Sequence, residues 1–181
     1  WFALWPLGLV DVAALGDGVP PFWPWQLVTY GFLHGGLLHL VLNMYALWLF
    51  GTRLEYLWGA QRFALYYLVC VVGAAFAQVV VSEVSLAQGG EAYPVLGASG
   101  GVFGVLLAFG LTFPEARLML LFPPIPIKAK WFVLLYGAIE LLLGFTRAMP
   151  GIAHFAHLGG MIFGAALLYK WGWRPGMTWR R

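Results

Sequence analysis

The sequence predicts an all-α fold: a polytopic membrane protein built as a bundle of six transmembrane helices, the fourth of them shortened. Three observations carry this. Of 181 residues, 62% are hydrophobic and only 9% charged, against roughly 25% charged in an ordinary soluble domain. Ten Lys and Arg with seven Asp and Glu cannot clothe a soluble globule of this size. The mean hydropathy is +0.83, and several apolar runs approach the ~20 residues that cross ~30 Å of hydrocarbon. Those runs are continuous, whereas a transmembrane β-barrel needs alternating segments of about ten residues. The formal charge of +3 is small and confined to loops and the C-terminal end, which argues against a nucleic-acid partner. One cysteine, Cys70, excludes an internal disulfide framework and a Cys-rich metal site.

Counting between charges and Pro/Gly clusters gives runs at residues 1–15, 36–56, 62–81, 99–113, 130–145 and 152–171, within a single membrane domain, 1–181. The chain opens at Trp1 without a methionine, so upstream material is expected to have been removed. The first run is partial and leads into a Pro/Trp-rich loop at 16–26. A short turn at 57–61, an acidic loop at 82–98, a Pro-rich loop at 114–129 and a link at 146–151 separate the others. Nine of the ten cations (Arg53, Arg62, Arg117, Lys128, Lys130, Lys170, Arg174, Arg180 and Arg181) fall at alternate span ends, with Arg147 opposite. The positive-inside rule then places both ends of the bundle in the cytoplasm. Asp17, Glu83 and Glu91 lie in loops facing outward.

The fourth run covers 15 residues, about 22 Å of helix, and falls short of the ~30 Å core by roughly 8 Å. Pro114, Glu115 and Arg117 fix its inner end at the cytoplasmic face, so the deficit belongs at Ser99. Non-helical backbone at that depth is tolerated only inside protein or beside water. Gly97-Ala98 is therefore expected to line an enclosed, wet pocket.

Polar side chains inside the spans are few: His34, His39, Asn43, Ser99, Glu140, His154 and His157. Each is a functional-site candidate by default. His39 and Asn43 share one helical face, and with His157 they fall at the depth of Ser99. His157, Gly160 and Gly164 follow an i, i+3, i+7 pattern, and Gly100 with Gly104 repeats the small-residue step on the fourth span. Such steps let helix backbones approach closely. Packing of these faces would bring His157 to Ser99 as a general base, with the Ser99 backbone N–H, His39 and Asn43 available to a developing oxyanion. No Asp or Glu is seen to orient His157, so the reading is a dyad. Glu140, the one acid placed inside a span, has no assigned role, and His154 reads as loop-facing.

Three motifs together resemble the rhomboid family of intramembrane serine proteases: Gly97-Ala98-Ser99-Gly100, His34 with His39-x-x-x-Asn43, and Ala156-His157-Leu158-Gly159-Gly160 with Gly164. The resemblance extends from about Trp25 to Gly164. It implies a six-helix core that cleaves transmembrane protein substrates at or just inside the membrane face. Ser99 would be the nucleophile and His157 the general base, and Ser99 N–H, His39 and Asn43 would form the oxyanion hole. Phe103 falls where the family sets an aromatic ring against the imidazole. His34 is expected to hydrogen-bond the outer loop, and Gly97, Gly160 and Gly164 to support the site by packing. Trp25-Gln26 stands where a Trp-Arg pair is common, which leaves the loop's internal hydrogen bonding open. The resemblance also leads us to expect a multi-pass protein of a bacterial inner membrane, its site opening outward.

The partners so implied are membrane-protein substrates and the lipid bilayer, with no metal, nucleotide or redox cofactor. Two other readings are a zinc protease and a non-enzymatic membrane protein, either an inactive relative or a transporter. Four histidines near the outer face could ligate zinc, but such a site usually needs H-E-x-x-H or a nearby acid, and neither is seen. A non-catalytic relative that binds client helices would typically lack the serine or the histidine. A transporter should show paired broken helices and internal repeats, and the sequence has one shortened span and no repeat.

Overall fold

The computed structural model describes residues 1–9, 19–120, 124–146 and 152–174. The architecture is helical: α1 (Gln26–Thr29) continuing into a 3-10 turn (Tyr30–Phe32), then α2 (Leu37–Trp58), α3 (Ala60–Ala87), α4 (Ser99–Thr112), α5 (Ala129–Thr146) and α6 (His154–Lys170). By length and composition α2, α3 and α5 can each cross a membrane, while α4 has 14 residues and α6 has 17. These are apolar membrane helices, but a count of six spans is not what the described residues carry.

The first expected span is the clearest departure. Residues 1–9 contain no helix. Pro6 interrupts the run, Gly8 takes a positive φ of 73°, and the backbone is committed elsewhere: Leu4 and Val95 exchange both N–H···O bonds at 2.9 Å. Glu83 accepts from the N–H groups of Gly8 and Leu9 at 3.0 and 3.1 Å. The rest of that run, Asp17, Arg147, Arg180 and Arg181 lie outside the described residues. Glu83 itself belongs to α3 and not to a loop, because 82–87 contains no Gly or Pro and the helix runs to Ala87, shortly before Gly89-Gly90.

A single residue turns α2 into α3. Gly59, at φ 81°, donates its N–H to Glu55 O at 2.8 Å and immediately precedes α3. The Pro-rich connection is not plain loop either: β1 (Arg117–Met119) and β2 (Pro126–Lys128) pair antiparallel, with Arg117 opposite Lys128. Glu115 clasps its base, 2.7 Å from Lys128 and in contact with Lys130. Those two ammonium groups hold its carboxyl down at about 2.

The bundle is organised around α4, most of whose side chains are buried, with α3 and α6 as its main neighbours. Glycines set the spacing. A Cβ on Gly160 would stand 1.9 Å from the Gly100 carbonyl oxygen, and one on Gly104 would stand 2.4 Å from Cys70 Sγ and 2.9 Å from Gly160 O. Gly164 meets α3 rather than α4: its Cβ would lie 2.3 Å from Tyr66 Oη, whose hydroxyl donates to Gly104 O at 2.8 Å. Backbones in direct contact make α3, α4 and α6 one rigid body. Below the site, Leu54, Tyr66, Cys70, Val105 and Phe109 form its buried core.

Candidate active site

Ser99 is the first residue of α4, so its N–H has no acceptor within the helix. Two constraints deliver it there. Gly97 has φ +127°, a conformation L side chains rarely adopt, and a Cβ at that position would lie 2.8 Å from His39 Cε1. Gly97 N–H donates to Tyr30 O at 2.9 Å, and Tyr30, 1% exposed, is itself anchored through its hydroxyl to Val71 O at 2.8 Å. His34 stands behind this turn, with Nε2 3.5 Å from Ala98 N and its ring edge-on to His39 at 5.1 Å.

The close approach of Gly100 and Gly160 brings α6 against the N-terminus of α4. Ser99 Oγ and His157 Nε2 are 2.7 Å apart. Phe103 stacks on the imidazole with centroids 4.3 Å apart and planes 4° from parallel, which fixes the ring's rotation. The opposite nitrogen of the ring is also engaged. His157 Nδ1 lies 2.8 Å from Glu140 Oε2 and His154 Nδ1 lies 2.7 Å from the same oxygen. All three side chains are buried. An ionised carboxylate only accepts, so both imidazoles donate to it from Nδ1, and a neutral imidazole bonded in this way keeps its lone pair on Nε2.

Two expectations are corrected here. An acid does contact His157: α5 turns Glu140 inward, away from lipid, where a charge at that depth would be unpaired. His154 is not loop-facing but 5% exposed, one turn before His157 on the same face of α6 and bonded to the same oxygen. The statement that no acid lies near the histidines falls with them, since one ligand atom from each of Glu140, His154 and His157 lies within 4.8 Å of the others. A single oxygen at hydrogen-bond distance from two nitrogens is a proton-sharing geometry and needs no metal to explain it.

On the far side, α2 contributes His39 and Asn43. Gly35 N–H points to His39 Nδ1 at 3.4 Å, which leaves the ring proton on Nε2. Asn43 is buried and donates one amide hydrogen to His39 O at 2.9 Å. Ser99, His157, His39, Asn43, Gly97 and Phe103 all line one cavity of about 670 Å³. The cavity runs down between α2 (Leu42, Ala46, Phe50) and α5 (Phe132, Tyr136), polar at the serine and apolar below. Gly160 and Gly164 lie outside it, in the helix contacts. Gln26 answers the question raised by the missing arginine: fully buried, it accepts from Trp5 N–H at 3.2 Å and donates to Trp1 O and Pro21 O at 3.2 Å.

A helical membrane bundle with a serine and a histidine in contact at the start of a short helix defines a class of polytopic membrane proteins, and comparison with known sequences names it. The rhomboid domain profile matches residues 22–174; the chain belongs to the rhomboid family. Over 147 residues it is 36% identical to rhomboid protein 1, mitochondrial, of Saccharomyces cerevisiae, covering 81% of this chain and 41% of that one. It is 33% identical over 156 residues to presenilin-associated rhomboid-like protein A, mitochondrial, of Danio rerio (86% and 39%). It is 36% identical over 140 residues to rhomboid protease GluP of Bacillus subtilis (77% and 24%). The chain thus spans less than half the length of these relatives. Two of the three are mitochondrial, so the expected bacterial inner membrane draws no support from them.

Proposed function

We propose that this chain is an intramembrane serine endopeptidase acting on the transmembrane segments of other proteins, with Ser99 as nucleophile and His157 as general base. The observation that carries the reading is the 2.7 Å contact between Ser99 Oγ and His157 Nε2 at the head of a cavity open toward α2 and α5. A relative named as a protease, GluP, belongs to the same family. Ser99 O–H gives its proton to His157 Nε2 as Oγ bonds the scissile carbonyl carbon, and the proton passes on to the leaving amine. The carbonyl oxygen, now anionic, accepts from Ser99 N–H, His39 Nε2–H and the free amide hydrogen of Asn43. A water then attacks the acyl-enzyme by the same route and frees Ser99. Substrate helices enter from lipid between α2 and α5, whose side chains face each other across the cavity. They unwind at the site, because a helical amide has its hydrogen bonds already made.

The test is cleavage of a fluorogenic single-span substrate by the purified protein, with and without chelator, beside Ser99→Ala. Loss of at least about 10³-fold in kcat for the variant, and indifference to chelator, are expected. Cleavage that survives Ser99→Ala would overturn the reading. Chelator-sensitive cleavage would make Glu140, His154 and His157 metal ligands.

A further inference from the structure

We infer that Glu140 is the positioning acid of this site, holding His157 in the tautomer that can receive the Ser99 proton, and that His154 in turn holds Glu140. This rests on the serine-protease reading above and adds a third and a fourth member to it. A neutral imidazole has one ring proton, and its two nitrogens compete for it. With Glu140 Oε2 2.8 Å from Nδ1, the proton stays on Nδ1 and the Nε2 lone pair faces Ser99 Oγ. With no acceptor at Nδ1, the other tautomer would present an N–H to the serine hydroxyl, and no proton could leave Oγ.

The carboxylate has a second use once reaction starts. When the Oγ–H bond breaks and Nε2–H forms, His157 becomes an imidazolium in a site shielded from bulk water. The adjacent carboxylate offsets that charge where the dielectric is low.

Glu140 needs a support of its own, because a carboxylate 8% exposed inside an apolar bundle is costly unless fully bonded. His154 supplies it. The residue lies one turn before His157 on α6 and donates to the same oxygen at 2.7 Å. Its Nε2 is buried and has no hydrogen-bond partner among the described residues. With Nε2 unpartnered among the described residues, the hydrogen bond from Nδ1 to Glu140 is what this ring contributes. The Phe103 stack and the two-donor oxygen together leave the catalytic ring one orientation.

The experiment compares wild type, Ser99→Ala, Glu140→Gln, Glu140→Asp and His154→Ala as full chains in detergent micelles. Readouts are kcat and KM on the fluorogenic substrate, labelling of Ser99 by a fluorophosphonate, and thermal unfolding. A glutamine amide can present its NH₂ to Nδ1 and reverse the tautomer. Glu140→Gln is therefore expected to lower kcat and labelling by about 10²–10⁴-fold with KM within about twofold. Glu140→Asp should recover part of the loss, and His154→Ala should cost less than Glu140→Gln. In wild type and Ser99→Ala a strongly deshielded imidazole N–H proton resonance should be present, and in Glu140→Gln absent. Its absence from the wild type would overturn the proposal even if Glu140→Gln failed to fold. So would wild-type kcat in Glu140→Gln, a loss that follows unfolding temperature without recovery by Asp, or a chelator that abolishes wild-type cleavage. Failure of the protease reading looks different: wild type neither cleaves nor labels, or Ser99→Ala still cleaves.

Discussion

At the scale of single residues, Gly97 does more than its size suggests. It carries the chain through φ +127°, and a Cβ there would stand 2.8 Å from His39 Cε1, so any side chain at 97 collides with the His39 imidazole and strains the backbone before Ser99. Gly97→Ala is expected to cost on the order of 1–3 kcal/mol at the turn. Because the strain falls on His39 and Ser99, kcat/KM on the fluorogenic substrate should drop by about tenfold or more. Wild-type kcat/KM in that variant would mean that the turn relaxes without moving either group. The polar residues around this turn are legible in the sequence because each stands out in an apolar run, and counting along a helix gives its depth. Counting does not give azimuth. Glu140 and His154 are as conspicuous as Ser99, but whether they turn toward lipid, loop or bundle depends on how α5 and α6 rotate against each other. An inward rotation could have been inferred for Glu140 from the cost of an acid facing lipid.

At the scale of elements, the glycine steps are legible and their partners only in part. The spacing of Gly160 and Gly164 predicts close approach to α4, and Gly160 meets Gly100 backbone to backbone. Gly164 instead takes the Tyr66 hydroxyl of α3, since one face of α6 serves two neighbours. Gly160→Ala must part α4 from α6 and is expected to destabilise the fold by about 1–3 kcal/mol, lowering the unfolding temperature in detergent and, with it, the Ser99–His157 contact and cleavage. Gly137→Ala is the control: its Cβ meets only the flexible end of Met161 at 3.4 Å, and stability should stay within about 1 kcal/mol of wild type. Equal losses in the two variants would deny the Gly100–Gly160 contact its special place. The N-terminal run illustrates the opposite failure. Composition alone marks residues 1–9 as span, but Pro6, Gly8 and two long-range partners, Val95 and Glu83, hold them out of a helix. No local pattern announces a bond across 75 residues.

At the scale of the whole molecule, α3, α4 and α6 form the frame, while α2 and α5 stand across the cavity from each other with most of their side chains directed to lipid. Under the proposed function, admission of a substrate helix between them would exchange its lipid contacts for protein contacts, and the remaining cost would be unwinding. Each Gly placed beside the scissile bond lowers that cost by about 0.8–1.0 kcal/mol relative to Ala. Cleavage rates across a series of single-span substrates should therefore rise by about four- to fivefold per Ala→Gly change near the bond. Equal rates across the series would remove unwinding from the mechanism. Because α4 is wrapped by its neighbours and largely out of reach of lipid, it need not match the bilayer, and the depth of Ser99 is measured from the protein's own frame. A substrate helix takes its depth from the lipid around it. The two rulers have different zero points, and the thickness of the membrane sets the offset between them, so that under the proposed protease function lipid composition is expected to help choose which peptide bond meets the serine.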